Sequence, residues 1–173
     1  MKLIESKTLA SAAAQIEFTA IPSTFTDLII LCSLRSTSTD AYVNINLGFN
    51  SNTANFTARW LYGLGSGGTG SASSLVRYAG DLNTANDTAN KFSNSSIYIP
   101  NYTGSTHSKS FSTDSVRETN ASANASAISA GLWNDTAAIT SVQLDSSDGN
   151  FVVGSTISLY GVLKGSDGIV TTS

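Results

Sequence analysis

The stretch "AYVNINLGF", residues 41–49, limits the fold more than any other part of the chain. Val43, Ile45, Leu47 and Phe49 fall on one side of it, and Tyr42, Asn44, Asn46 and Gly48 on the other. Side chains of a β-strand alternate between faces, so a strict period of two predicts a strand with one face in a core and one outside. The same signature recurs in "KLIESKTL", "AQIEFTAI", "FTARWLYG", "SSLVRYAG", "SSIYIPNY", "SKSFSTDSVRET", "AISAGLWN", "AITSVQL" and "FVVG". In "STISLYGVLKG", Ile157, Leu159 and Leu163 alternate with Ser158, Tyr160 and Val162. The run "DLIILCSLRS" is apolar on both faces and predicts a central strand covered on both sides.

Turn residues separate these segments. Asp148-Gly149 between "SVQLD" and "NFVVG" reads as a tight hairpin. Pro100 interrupts "IYIPNY" and predicts a sheet edge or a bulge there. Only "GDLNTANDTANKF" and "ETNASANASAIS" could form short helical turns, and both are rich in Asn and Thr, which favour caps and turns. About ten to twelve short strands without a linker predict one all-β domain, a two-sheet sandwich or barrel. The domain is expected over residues 1–165, with 166–173 as a C-terminal tail.

Composition narrows the function. Charged residues make up 12% of the 173, about half the usual share of roughly 25%. The net charge is −3, and nine Lys and Arg are scattered along the chain. Phosphate backbones require a clustered basic face, so no nucleic-acid partner is expected. The longest apolar runs fall far short of the roughly 20 residues of a membrane helix, so no membrane partner is expected either. Glu5, Ser6 and Lys7 interrupt any hydrophobic leader, which points to synthesis in a cytoplasm. The single Cys32 lies within "LIILC" and reads as a small buried hydrophobe.

One motif invites a stronger reading. Gly63, Gly65 and Gly68 in "GLGSGGTGS" fit the G-x-G-x-x-G of a dinucleotide-binding turn. That turn must open a helix whose free N–H groups hold a pyrophosphate. The continuation "TGSASS" is a poor helix, and the next strand arrives within a few residues. The glycines therefore read as a small-residue connector, and no cofactor is expected.

Catalysis is thinly supplied. His107 is the only histidine, no G-x-S-x-G elbow occurs, and the acids are spread with no marked pair. "DSSDGN" lacks the alternating ligands of a calcium loop, and one Cys with one His cannot form a zinc site. A non-enzymatic protein is expected, with no catalytic and no metal residues. Exposed aromatics could stack on sugars or anchor a partner. Among Trp60, Tyr62, Tyr78, Tyr98, Tyr102 and Trp133, the pair flanking Pro100, Tyr98 and Tyr102, is expected to be exposed.

The pieces "LIESKTLASAAAQIEFTAIP", "FTDLIILCSLRS", "INLGFNSNTANFTARWLYGLGS", "TANKFSNSSIYIPNYTGSTHSKSFSTDSV", "AGLWNDTAAITSVQL" and "FVVGSTISLYGVLKG" together resemble a family of small virion proteins of tailed bacteriophages, common in marine and cyanobacterial phages. The closing "GSTISLYGVL" resembles the last strand of phage appendage and capsid-surface domains with a TNF/C1q-like jelly roll. The resemblance implies an antiparallel jelly-roll β-sandwich, a homotrimer, and a place on the virion. The expected role is a decoration or cement protein that binds the major capsid protein or other virion proteins. Lys2, Leu3 and Ile4, with Tyr98 and Tyr102, are the expected contact residues. The rival expectation is a tail-fibre or appendage domain that binds host surface glycans.

Overall fold

The computed structural model describes residues 1–65, 67–74, 76–119 and 124–163. The expected tail over 166–173 lies outside them. The described residues hold strands and no helix: β1 (Lys2–Thr8), β2 (Gln15–Phe18), β3 (Asp27–Leu34), β4 (Val43–Phe49), β5 (Phe56–Leu64), β6 (Thr69–Ser74), β7 (Tyr78–Leu82), β8 (Ser93–Ile99), β9 (Lys109–Arg117), β10 (Ala125–Trp133), β11 (Val142–Ser146) and β12 (Thr156–Val162). They form an eight-stranded sheet in the order β1-β12-β3-β8-β9-β10-β5-β6 and a four-stranded sheet in the order β2-β11-β4-β7. Every named pair is antiparallel. The expected all-β, two-sheet antiparallel sandwich is therefore what the chain forms, with twelve strands among the described residues.

Alternation carries the core as the period-two reading requires. Val43, Ile45, Leu47 and Phe49 of β4 are all buried, and they face Leu28, Ile30 and Leu34 of β3 and Ile157 and Leu159 of β12 across the sandwich. Each such side chain removed from water contributes about 1.5–3 kcal/mol. Cys32 belongs to this core, and burial pushes its thiol up to about 12. At one end, Phe49, Phe56, Phe111 and Trp133 pack ring against ring, with Phe49 edge-on to Phe111 at 6.1 Å. Phe111 lies over Gly131, its directly paired neighbour on β10.

Several local expectations are corrected. β3 is central in its sheet, but the described residues cover only its inner face and leave Leu31 on the outer face 42% exposed. "SSLVRYAG" is not one strand. β6 forms earlier, from "TGSASS", because it pairs back onto β5 as a hairpin. That pairing rests on backbone hydrogen bonds, which need no apolar side chain. Pro100 neither bulges a strand nor marks an edge: β8 lies inside the sheet and ends at Ile99. "FVVG" is no strand. Phe151 makes isolated bridges to Ala13 and Ser36, and the chain then enters β12 in the other sheet.

The segment "NTANDTANKF", in which a helical turn was possible, runs as a non-helical loop held by two arginines. The Arg35 guanidinium donates to the carbonyl oxygens of Thr88 (2.8 Å), Lys91 (2.9 Å) and Asp87 (3.0 Å). Arg117 pairs with the Asp87 carboxylate at 2.8 Å and donates to the Ala41 carbonyl at 2.6 Å. A charged pair this deeply buried persists only when its remaining hydrogen bonds are satisfied. In "ETNASANASAIS", residues 120–123 lie outside the described residues, and Ala125 already begins β10.

Candidate functional site

Two surfaces stand out, one on each side of the large sheet. The first is a cleft on its inner side, near β5. Ala58, Trp60, Tyr62 and Leu64 point inward along β5, and β7 meets them with Tyr78. Here a small aromatic cluster replaces the aliphatic core, with Trp60 and Tyr78 stacked at 4.6 Å and 17° between their planes. Close approach of β7 to β8 and β9 makes this possible. Gly80 adopts φ +132°, and a Cβ there would lie 2.6 Å from Ser95 Oγ and 2.7 Å from Ser115 Oγ.

The cleft has a volume of about 230 Å³ and is lined by Tyr42, Asn44, Trp60, Tyr62, Tyr78 and Asp81, with Arg117 at its back. The Tyr78 hydroxyl donates to Asp81 Oδ2 at 3.1 Å, and the Asp81 N–H donates to Ser115 Oγ at 3.0 Å. Burial raises the Asp81 carboxyl above its ordinary value, against the opposing Tyr78 hydrogen bond and Arg117 charge. Burial first, then the Asp81 charge and hydrogen bond, raise the Tyr78 phenol. Tyr42 stands at the rim, 76% exposed. Chemically, the cleft offers aromatic faces, one carboxyl and one amide.

The second surface is the outer face of the eight-stranded sheet. Register places Leu3, Tyr160, Ile29, Tyr98, Ser112, Ala130 and Arg59 side by side in one row across seven strands. The next row runs through Ser158, Leu31, Ser96, Asp114, Ile128 and Leu61. From β12 to β5, the charged residues facing outward are Asp27, Asp114 and Arg59. Apolar side chains gather at two places: around Leu3, Tyr160, Ile29 and Leu31, and at Ile128 and Leu61. Beside the latter lies a shallow groove of about 580 Å³.

The expected contact residues divide between these settings. Leu3, 49% exposed, and Tyr98, 39% exposed, share the first outer row, separated by Tyr160 and Ile29. The Tyr98 hydroxyl donates to Asp27 Oδ2 at 3.0 Å, which holds the ring in place. Lys2 is exposed at the start of β1, and Ile4 packs partly buried against the core at a register shift. Tyr102 is a correction. It is fully buried, and its hydroxyl donates to the Pro22 carbonyl oxygen. A ring that follows a proline turn reads as surface in sequence, but the turn folds it back under the loop before β3.

His107 sits exposed in the turn before β9, and its Nδ1 lies 3.5 Å from Thr106 Oγ1. Among the described residues, no cluster of three His, Cys, Asp or Glu could hold a metal ion. Gly63 ends up inside β5, and Gly67 (φ +86°) forms the hairpin turn to β6, its N–H donating to the Leu64 carbonyl at 3.0 Å. Sequence reasoning missed Tyr42 and Asn44 as site residues. Their only signal was lying on the polar side of the "AYVNINLGF" alternation, which is shared by any solvent-facing residue. Comparison with protein families, with curated proteins and with solved structures returns no match to this chain.

Proposed function

We propose that this protein is a non-catalytic structural subunit that assembles as a homotrimer and serves as a decoration or cement protein on the exterior of a phage capsid. The observation that carries the reading is the outer row Leu3–Tyr160–Ile29–Tyr98. β3 has the composition of a strand covered on both faces, yet the described residues cover only one. A second copy laid on that face removes Ile29 and Leu31 from water, and the sparse charge there adds little desolvation cost. Closed rotational symmetry then gives a finite assembly rather than a fibre.

The sheet orders support the jelly-roll part of this reading. With the β5–β6 hairpin and strands β9 and β10 set aside, the remainder reads β1-β12-β3-β8 against β2-β11-β4-β7. That alternation between two sheets is the order expected of a jelly roll, with the other four strands as a lateral extension of the larger sheet.

Light scattering after size exclusion tests the association. The expected mass is three times the 17.9 kDa chain, and Leu31→Glu combined with Leu3→Glu should yield a folded monomer. A wild-type monomer at micromolar concentration would sink the trimer. Copy number in purified particles tests the location, with hundreds expected for a capsid protein. A few dozen copies confined to the tail would favour the appendage reading, which would draw on the aromatic cleft instead.

A further inference from the structure

We infer that the cleft between β4, β5 and β7 is a binding site for one neutral pyranose ring of a glycan, stacked on its aromatic side chains and hydrogen-bonded by Asn44 and Asp81. Three observations converge. The accessible walls are aromatic, with Tyr42 at the mouth and the partly exposed Trp60 and Tyr62 inside, while the buried Tyr78 backs Trp60 from behind. Sugars present a face of C–H groups that packs on such rings, while their hydroxyls need donors and acceptors at the edge.

Those edge groups are present and uncommitted. Among the described residues, none hydrogen-bonds the Asn44 side-chain amide, the Trp60 indole N–H or the Tyr62 phenol. Asp81 spends Oδ2 on Tyr78, and its other oxygen has no such partner. The cleft therefore mixes free donors (indole, amide and phenol) with free acceptors (amide and carboxyl). That mixture matches a polyhydroxy ligand. A quaternary ammonium, the other usual guest of aromatic walls, wants faces and negative charge only. It would leave these donors unmet and would sit near the Arg117 guanidinium.

Size sets the extent of the ligand. At about 230 Å³ the cleft falls below the roughly 300–1,000 Å³ that engulf a drug-sized ligand. It takes one ring and leaves the rest of a glycan in solvent. Single-site affinity is then weak, and useful retention comes from several copies engaging one surface. The lining side chains lie inward of β5 and on the smaller sheet, away from the outer rows, so the site stands or falls separately from the proposed association.

The test uses the whole chain and the methyl glycosides of glucose, galactose, mannose and N-acetylglucosamine, with tetramethylammonium chloride alongside. Saturation-transfer NMR and tryptophan fluorescence report binding. The buried Trp133 serves as a constant background, since it is 1% exposed. At least one glycoside should bind saturably in the millimolar range. Asn44→Ala and Tyr42→Ala, both outside the core, should each weaken it about three- to tenfold while leaving the melting temperature in place. Leu31→Glu should leave the glycoside affinity unchanged. The inference is overturned if no glycoside saturates, if tetramethylammonium outcompetes all of them, or if binding is unaffected by both alanine variants.

Discussion

Replacing Gly131 by alanine adds one methyl group at a point where the sandwich has no room for it. A Cβ on Gly131 would stand 2.0 Å from Phe111 Cζ and 2.2 Å from Cε2, whereas carbon atoms rest at about 3.5–4.0 Å. Backbone pairing pins both residues opposite each other, so the ring must move by roughly the missing 1.5 Å. It has nowhere to go: Phe111 is 3% exposed, edge-on to Phe49 at 6.1 Å and against Phe56 at 6.4 Å. Overpacking of this kind costs about 1–3 kcal/mol, and each disturbed aromatic pair adds about 0.5–1.5. A total near 3 kcal/mol follows, or roughly 6–12 °C in melting temperature for a domain of this size.

The assay is a double-mutant cycle by urea denaturation with Phe111→Ala. Alone, Phe111→Ala loses about 3–5 kcal/mol as a cavity forms. With the ring gone, the Gly131→Ala methyl occupies empty space. It also relieves a glycine in a strand interior, worth about 0.5–1 kcal/mol. The second substitution should therefore be neutral or stabilising in that background, giving a coupling of about 3 kcal/mol between the two sites. Equal costs for Gly131→Ala in both backgrounds would refute the claim that the ring, rather than strand geometry, excludes the methyl.

Arg117→Met leaves the Asp87 carboxylate buried without its partner (the two side chains are 4% and 6% exposed) and should cost about 3–5 kcal/mol. Adding Asp87→Asn should recover part of that loss in denaturant titrations, and hydrogen exchange should show the 83–92 loop opening first. Asp81→Asn should stabilise the protein in a pH-dependent way. Because the folded carboxyl titrates above its ordinary 3.8, the native state holds its proton more tightly than the unfolded chain. Wild-type stability therefore falls as pH rises from about 3.8 through the folded value. The asparagine variant lacks that loss, so its advantage should be absent in acid and complete at neutral pH. A variant less stable than wild type at pH 7 would show that the carboxylate is a net stabiliser.

What the sequence determined by itself was local. Period two in "AYVNINLGF", "SKSFSTDSVRET" and "STISLYGVLKG" marked those strands and their buried faces, because alternation is built into the strand and needs no partner to be read. The burial of Cys32 and the lack of a helix after the G-x-G-x-x-G spelling were legible for the same reason, since each depended only on immediate neighbours. The tertiary structure decided whatever depends on what lies opposite. "TGSASS" became β6 only because β5 was there to pair with, and Tyr102 went inside because the chain after Pro100 folds back beneath the loop leading into β3. "DLIILCSLRS" announced two buried faces and found cover for one among the described residues, which turned an expected core strand into the proposed interface. The cleft was beyond sequence reading altogether. Tyr42, Asn44, Trp60, Tyr78 and Asp81 come from three strands and the residue before one of them. No spacing along the chain records that Gly80 lets β7 approach closely enough to bring them together.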